Sequence, residues 1–149
     1  MESKDRITVV LVDDDSDDRL IFEDAFSKLK IKSNLVQFQN GLEAIQYFEK
    51  EDTKVPHIIF LDLNMPIMTG IEALQILRKD KKYRNVPIAI YSTSNAESDK
   101  EATLVSGANI YITKPNDYSK LKQVLESVMK IQWQYNSSEL RMDTFVMVL

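Results

Sequence analysis

Apolar residues follow two alternating rhythms along this chain. Ile7 to Val12 is a nearly unbroken apolar run, as expected of a parallel strand covered on both faces. Phe22, Ala25, Phe26 and Leu29 then recur at helical spacing, with Ser16 or Asp17 placed to cap the helix. Leu35 to Phe38 reads as a strand whose polar Gln37 suits a place nearer the sheet edge. Leu42, Ile45, Tyr47 and Phe48 predict a short second helix. His57 to Leu61 is another buried strand, followed by a turn at Asn64-Met65-Pro66. Ile71, Leu74 and Leu77 mark a third helix, and Pro87 opens the strand Ile88 to Tyr91. Ala96 to Ser106 predicts a fourth helix with little to bury. Its apolar residues are few and small (Ala96, Ala102, Leu104, Val105), and Gly107 ends it. A helix so weakly anchored should shift easily. Ile110 to Ile112 is a last short strand, and Leu121, Val124, Leu125 and Val128 make the fifth helix amphipathic.

Strands that alternate with helices in this way predict an α/β fold, a doubly wound parallel sheet with right-handed crossovers. The pattern places one domain at residues 1–131 and leaves 132–149 as a C-terminal extension of unassigned role. That extension is polar in its middle (Asn136-Ser137-Ser138-Glu139) and apolar at its end (Phe145-Val146-Met147-Val148-Leu149). A disordered terminus and a pairing strand are both open there, and the apolar end offers a means of forming a homodimer.

Composition narrows the function. With 149 residues, 44% of them apolar, the chain can bury a substantial single core. The net charge of −4 argues against duplex nucleic acid as a partner, since phosphate binding needs a basic patch. Absence of cysteine excludes disulfides and thiolate metal sites. The polar N-terminus, Met1 to Arg6, precedes an apolar run that stops at Asp13. That run is too short for a signal peptide or a membrane span, so the expectation is a cytoplasmic protein with no membrane partner.

Five short segments carry the candidate chemistry: Val12-Asp13-Asp14-Asp15, Leu61-Asp62-Leu63-Asn64-Met65-Pro66, Tyr91-Ser92-Thr93, Tyr111 and Lys114-Pro115. Each lies within or just after an apolar run. If those runs form one parallel sheet, the segments meet at its carboxyl edge, where open α/β sheets bind ligands. An acid pair, a lone Asp, a Ser and a Lys there suit Mg²⁺ and a phosphoryl group. A carboxylate is a competent nucleophile toward phosphorus once the incoming charge is neutralised.

In this set and order, the segments resemble the receiver domain of two-component response regulators, over roughly residues 5 to 131. The resemblance implies a flavodoxin-like five-stranded sheet of order 2-1-3-4-5 with five helices. The Asp-rich stretch from Asp13 to Asp18 and the lack of an output domain are similar to single-domain regulators associated with phytochrome-type kinases. By the same resemblance, Asp62 accepts a phosphoryl group from a sensor histidine kinase or a histidine phosphotransfer protein. Asp14, Asp62 and the Asn64 backbone carbonyl would supply half of a Mg²⁺ shell, with Asp13 acting through bound water. Lys114 would pair with Asp62 at rest and with a phosphoryl oxygen afterwards. The Lys114–Pro115 bond is expected to be cis. Ser92 takes the place of the switch hydroxyl and Tyr111 that of the switch aromatic. Thr93 is larger than the residue receivers often carry there, and should crowd the approach of phosphodonor and water.

Several residues have plainer readings. Asp15, Asp17 and Asp18 read as helix-start residues complementing the helix dipole. His57, the only histidine, begins a strand on the edge away from the acids and reads as structural or solvated. Without metal, the clustered acids should raise at least one carboxylate pKa. The expected protein is a phosphorelay switch acting on a downstream protein target through its fourth helix, last strand and fifth helix. It would not be an enzyme beyond self-phosphorylation and self-dephosphorylation. Two alternatives belong to other classes. A pseudo-receiver would bind partners without phosphorylation, although Asp62, Lys114 and the acid pair are all present. A haloacid-dehalogenase-like phosphatase needs a second acid two residues after its nucleophile, where this chain has Asn64. Flavin mononucleotide binding is disfavoured by the acidic first loop.

Overall fold

The computed structural model describes residues 6–137 and 147–148, with side chains for 6–131. Strand β1 (Ile7–Val12) pairs in parallel with β2 (Ser33–Phe38) on one side and β3 (Ile58–Leu61) on the other. Beyond β3 lie β4 (Ile88–Ser92) and β5 (Ile110–Thr113), also parallel. The connections are α1 (Ser16–Ser27), α2 (Gly41–Phe48), α3 (Gly70–Lys79) and α4 (Glu97–Val105), and α5 (Tyr118–Ser137) follows β5. The order 2-1-3-4-5 is the expected one. A sixth strand, β6 (Met147–Val148), extends it at the β5 edge, with Ile110 opposite Met147 and Tyr111 opposite Val148. Of the two readings of the apolar terminus, the structure takes the strand. Residues 138–146 lie outside those described.

The unbroken apolar strands are explained by burial on both faces. Val10, Val12, Ile59, Leu61, Ile88 and Ile90 point to one side, against α2 and α3. Val9, Leu11, Ile58, Phe60, Ala89 and Ile112 point to the other, against Phe22, Ala25 and Phe26 of α1 and Leu121, Leu125 and Val128 of α5. A single residue's shift of register would exchange the two sets. Both are apolar, and hydrogen bonds in the loops help to fix the register. Asp13 N–H donates to Phe38 O, Asp62 N–H to Val12 O and Lys114 N–H to Ser92 O. These bonds continue the ladder past the strand ends and carry the polar residues to the carboxyl edge.

Helix starts differ in strength. Asp15, rather than Ser16 or Asp17, caps α1: it is extended and its carboxylate accepts from the Asp17 and Asp18 N–H groups. Thr69 and Glu72 form a capping box on α3. Helix α4 has Ala96 at its cap position with no side-chain hydrogen bond, and Thr103 is its only buried residue. The sequence reading of a weakly held helix therefore stands. Arg78 fastens α3 to the neighbouring loops by donating to Val86 O, Gly107 O and Asn109 Oδ1. No helix among the described residues is long and apolar enough to cross a membrane.

Candidate functional site

Asp62 sits one residue past β3, only 6% exposed. Its Oδ1 accepts from the next backbone N–H, that of Leu63, at 2.8 Å. Asp13 lies past β1 and is fully buried, with its Oδ1 accepting from Asp15 N–H at 3.0 Å. Asp14 is exposed beside them. One carboxylate oxygen from each of the three lies within 4.8 Å of the others. Such a group of hard oxygen donors fits a divalent cation of the Mg²⁺ type. Asp13 Oδ2 strengthens the fit, because it is buried without a hydrogen-bond donor. Buried oxygens in that state need a counter-charge. Part of it comes from Lys114, whose Nζ lies 2.8 Å away as an ion pair lacking hydrogen-bond alignment. Asn64 follows on the exposed β3–α3 turn.

Lys114 pairs with Asp62, as expected, but lies closer to two other acids. Its Nζ is 2.8 Å from both Asp13 Oδ2 and Asp18 Oδ2, and 3.8 Å from Asp62 Oδ2. The resting partner is thus not chiefly Asp62. Capping by Asp15 winds the first turn of α1 so that Asp18 reaches the ammonium, and Asp18 N–H is itself held by that cap. Arg19 donates to Asp13 O at 2.7 Å from the same turn. Asp18 lies in the first turn of α1, where an acid complements the helix dipole, and it also belongs to the site. The Lys114–Pro115 bond is also not cis, since no cis peptide occurs among the described residues. Trans is the commoner state of X–Pro bonds.

Two electrostatic consequences follow. Burial pushes the Asp62 carboxyl up to about 7; Lys114 opposes this, while Asp13 and, more weakly, Asp14 add to it. The like charges expected to raise a carboxylate do contribute, but loss of water is the larger cause. For Lys114, burial works to lower the pKa, yet the close carboxylates of Asp13 and Asp18 outweigh it and hold the ammonium above the ordinary lysine value.

Ser92, at the end of β4, is fully buried, and its Oγ accepts from Ser94 N–H at 3.1 Å. Tyr111 of β5 is fully buried and its hydroxyl donates to Ser94 O at 2.9 Å. Ser94 is therefore gripped through both backbone groups, and its own hydroxyl donates to Asp99 in the first turn of α4. Nothing in the sequence singled out Ser94, since a serine in a polar loop has no distinguishing pattern. Thr93 is exposed at the rim. His57 Nδ1 accepts from Thr8 N–H at 3.0 Å, a structural tie at the far edge of the sheet.

The site is also shaped by close backbone packing. Gly70 approaches the Asp62 carbonyl so closely that a Cβ there would lie 2.3 Å from the oxygen. Ile67, 74% exposed, is held at φ +71° in a tight turn closed by Met68 N–H and Pro66 O. A T-x-x-E pattern at Thr69–Glu72 was a readable sign that α3 begins beside Asp62.

A family model described as the response regulator receiver domain matches residues 9–126. The chain belongs to this family. It is 34% identical over 122 residues to a chemotaxis protein CheY homolog of Campylobacter jejuni, covering 81% of this chain and 91% of that one. It also resembles the phosphorylated cyanobacterial phytochrome response regulator RcpA, with a TM-score of 0.79 and 28% identity over 86% of this chain and 94% of that one. The Mn²⁺-bound form of response regulator Rcp1 is similar at a TM-score of 0.75 and 25% identity, over 83% of this chain and 92% of that one. Members of the receiver family act with histidine kinases and are not enzymes apart from activity related to their own phosphorylation. As a receiver, this chain carries an acidic pocket of Asp13, Asp14 and Asp62 with Lys114 against it.

Proposed function

We propose that this receiver is a phosphorylation-activated signalling switch of a two-component system, with Asp62 as phosphoacceptor. The observation that carries this reading is the convergence of Asp13, Asp14, Asp62 and Lys114 at one sheet edge. A sensor kinase or phosphotransfer protein presents a phosphohistidine. An Asp62 oxygen attacks phosphorus, the P–N bond breaks, and the imidazole leaves with that electron pair. Asp14 and Asp62, with the Asn64 carbonyl and Asp13, would hold Mg²⁺, whose charge would offset that of the phosphoryl group and favour the ionised form of Asp62. Lys114 then pairs with a phosphoryl oxygen. Thr93 stands at the rim of this approach and restricts access to it.

The readout begins at Ser92. Turning its hydroxyl toward a phosphoryl oxygen gives up the bond from Ser94 N–H, so one of the two grips on Ser94 is released. Tyr111 keeps or changes the other. Helix α4 has neither a side-chain cap nor more than one buried residue to resist the change. The α4, β5 and α5 surface thereby alters its affinity for a protein target, a population shift of a bistable element. Strand β6 lies along the β5 edge of the same surface.

Incubation with a histidine kinase core carrying radiolabelled phosphohistidine tests the transfer. The expected result is a Mg²⁺-dependent movement of label to this chain, absent in Asp62→Asn. Label that moves equally well to Asp62→Asn would defeat the assignment.

A further inference from the structure

We infer that Asp18 is a positioning residue that tethers Lys114 away from Asp62 and so sets how readily the phosphorylated state forms. The inference rests on the proposed phosphoacceptor role of Asp62. The Lys114 ammonium has two acids at 2.8 Å, Asp13 and Asp18, and the proposed acceptor at 3.8 Å. Of the two near acids, Asp13 belongs to the group that fits a divalent ion, so cation binding weakens its hold on Lys114. Asp18 has a carboxylate that is one-third exposed and lies outside the acid group that an ion would occupy. It is thus the competitor that a phosphoryl oxygen must displace to gain Lys114.

The tether is built, not incidental. Asp18 N–H is bound by the Asp15 cap, and the neighbouring Arg19 guanidinium donates to Asp13 O at 2.7 Å. The first turn of α1 is therefore fixed to the end of β1 on one side and to Lys114 on the other. Lys114 N–H is held by Ser92 O at 2.7 Å, so its backbone stays in place while the flexible stem swings. An ion pair of this partial exposure weighs modestly, about two- to ten-fold in an equilibrium.

Beryllofluoride, a phosphoryl stand-in, is the probe, titrated at saturating Mg²⁺ into the parent, Asp18→Asn, Asp18→Glu, Lys114→Ala and the Asp18→Asn/Lys114→Ala pair. The expected result is about two- to ten-fold tighter binding in Asp18→Asn, near-parent binding in Asp18→Glu, and no further gain from Asp18→Asn once Lys114 is Ala. An equal gain with and without Lys114 would mean Asp18 acts only by its charge, and overturns the inference; so does no gain at all. A parent that binds no beryllofluoride at all overturns the phosphoacceptor reading, and this inference with it. A second readout needs no ligand. The Lys114 ammonium nitrogen resonance in the free parent should be protected from solvent exchange and lose that protection in Asp18→Asn. An unchanged resonance overturns the tether whatever the titrations give.

Discussion

Replacing Asp62 by Asn should stabilise the metal-free receiver at neutral pH, and the gain should fade in acid. The reason lies in the burial of Asp62, which moves its carboxyl from 3.8 to about 7 against the opposing pull of Lys114. Below the unfolded value, both states hold the proton and ionisation costs nothing. As pH rises from about 4 toward 7, the unfolded chain ionises freely while the fold resists, so stability falls throughout that interval. Above about 7 the loss is complete. The full displacement corresponds to at most about 4 kcal/mol. Relaxation of the fold and entry of water around the carboxyl reduce this to about 2 kcal/mol. Urea unfolding followed by circular dichroism, with chelator present, measures it at pH 7.5 and pH 4.5. Asp62→Asn should be the more stable at the higher pH, with more than half of that difference gone at the lower one. Adding Mg²⁺ at pH 7.5 should stabilise the parent and leave the variant nearly unmoved. An equal gain at both pH values, or none at pH 7.5, would refute the argument from burial.

Other expectations concern the residues around the acceptor. Ile67→Gly should raise stability by about 1 kcal/mol, because a β-branched residue at φ +71° is strained and this one is too exposed to lose much burial; a thermal melt reads it directly. Gly70→Ala should cost about 2 kcal/mol and slow phosphorylation, since its Cβ meets the Asp62 carbonyl; unfolding and labelling assays on the same variant should move together. Thr93→Ala should shorten the lifetime of the phosphoryl group by opening the rim to water, and an unchanged decay of label would count against crowding there.

Much of this molecule was legible before its structure. Continuous apolar runs located the strands because parallel strands buried on both faces leave no polar positions. The same runs put Asp13, Asp62, Ser92 and Lys114 at one edge. Less legible was anything decided by side-chain geometry within the Asp-rich stretch. Asp15, Ser16 and Asp17 are all competent caps, and only the backbone at Asp15 selects among them. That selection sets the phase of α1 and hence brings Asp18, rather than solvent, to Lys114. The grip on Ser94 and the strained turn at Ile67 were equally hidden, as both depend on where the backbone groups of neighbouring loops come to lie. The apolar end of the chain left two readings open because a strand needs a partner edge, and pattern alone does not say that β5 offers one.

The central claim is that Asp62 accepts a phosphoryl group with the help of a divalent ion. Intact mass after incubation with a small-molecule acyl phosphate, with and without Mg²⁺, tests it most directly, with Asp62→Asn alongside. The account predicts a gain of one phosphoryl group in the parent only when Mg²⁺ is present, and no gain in the variant. A folded parent that gains nothing from either a small donor or a phosphorylated kinase, or a variant that gains as much as the parent, would contradict it.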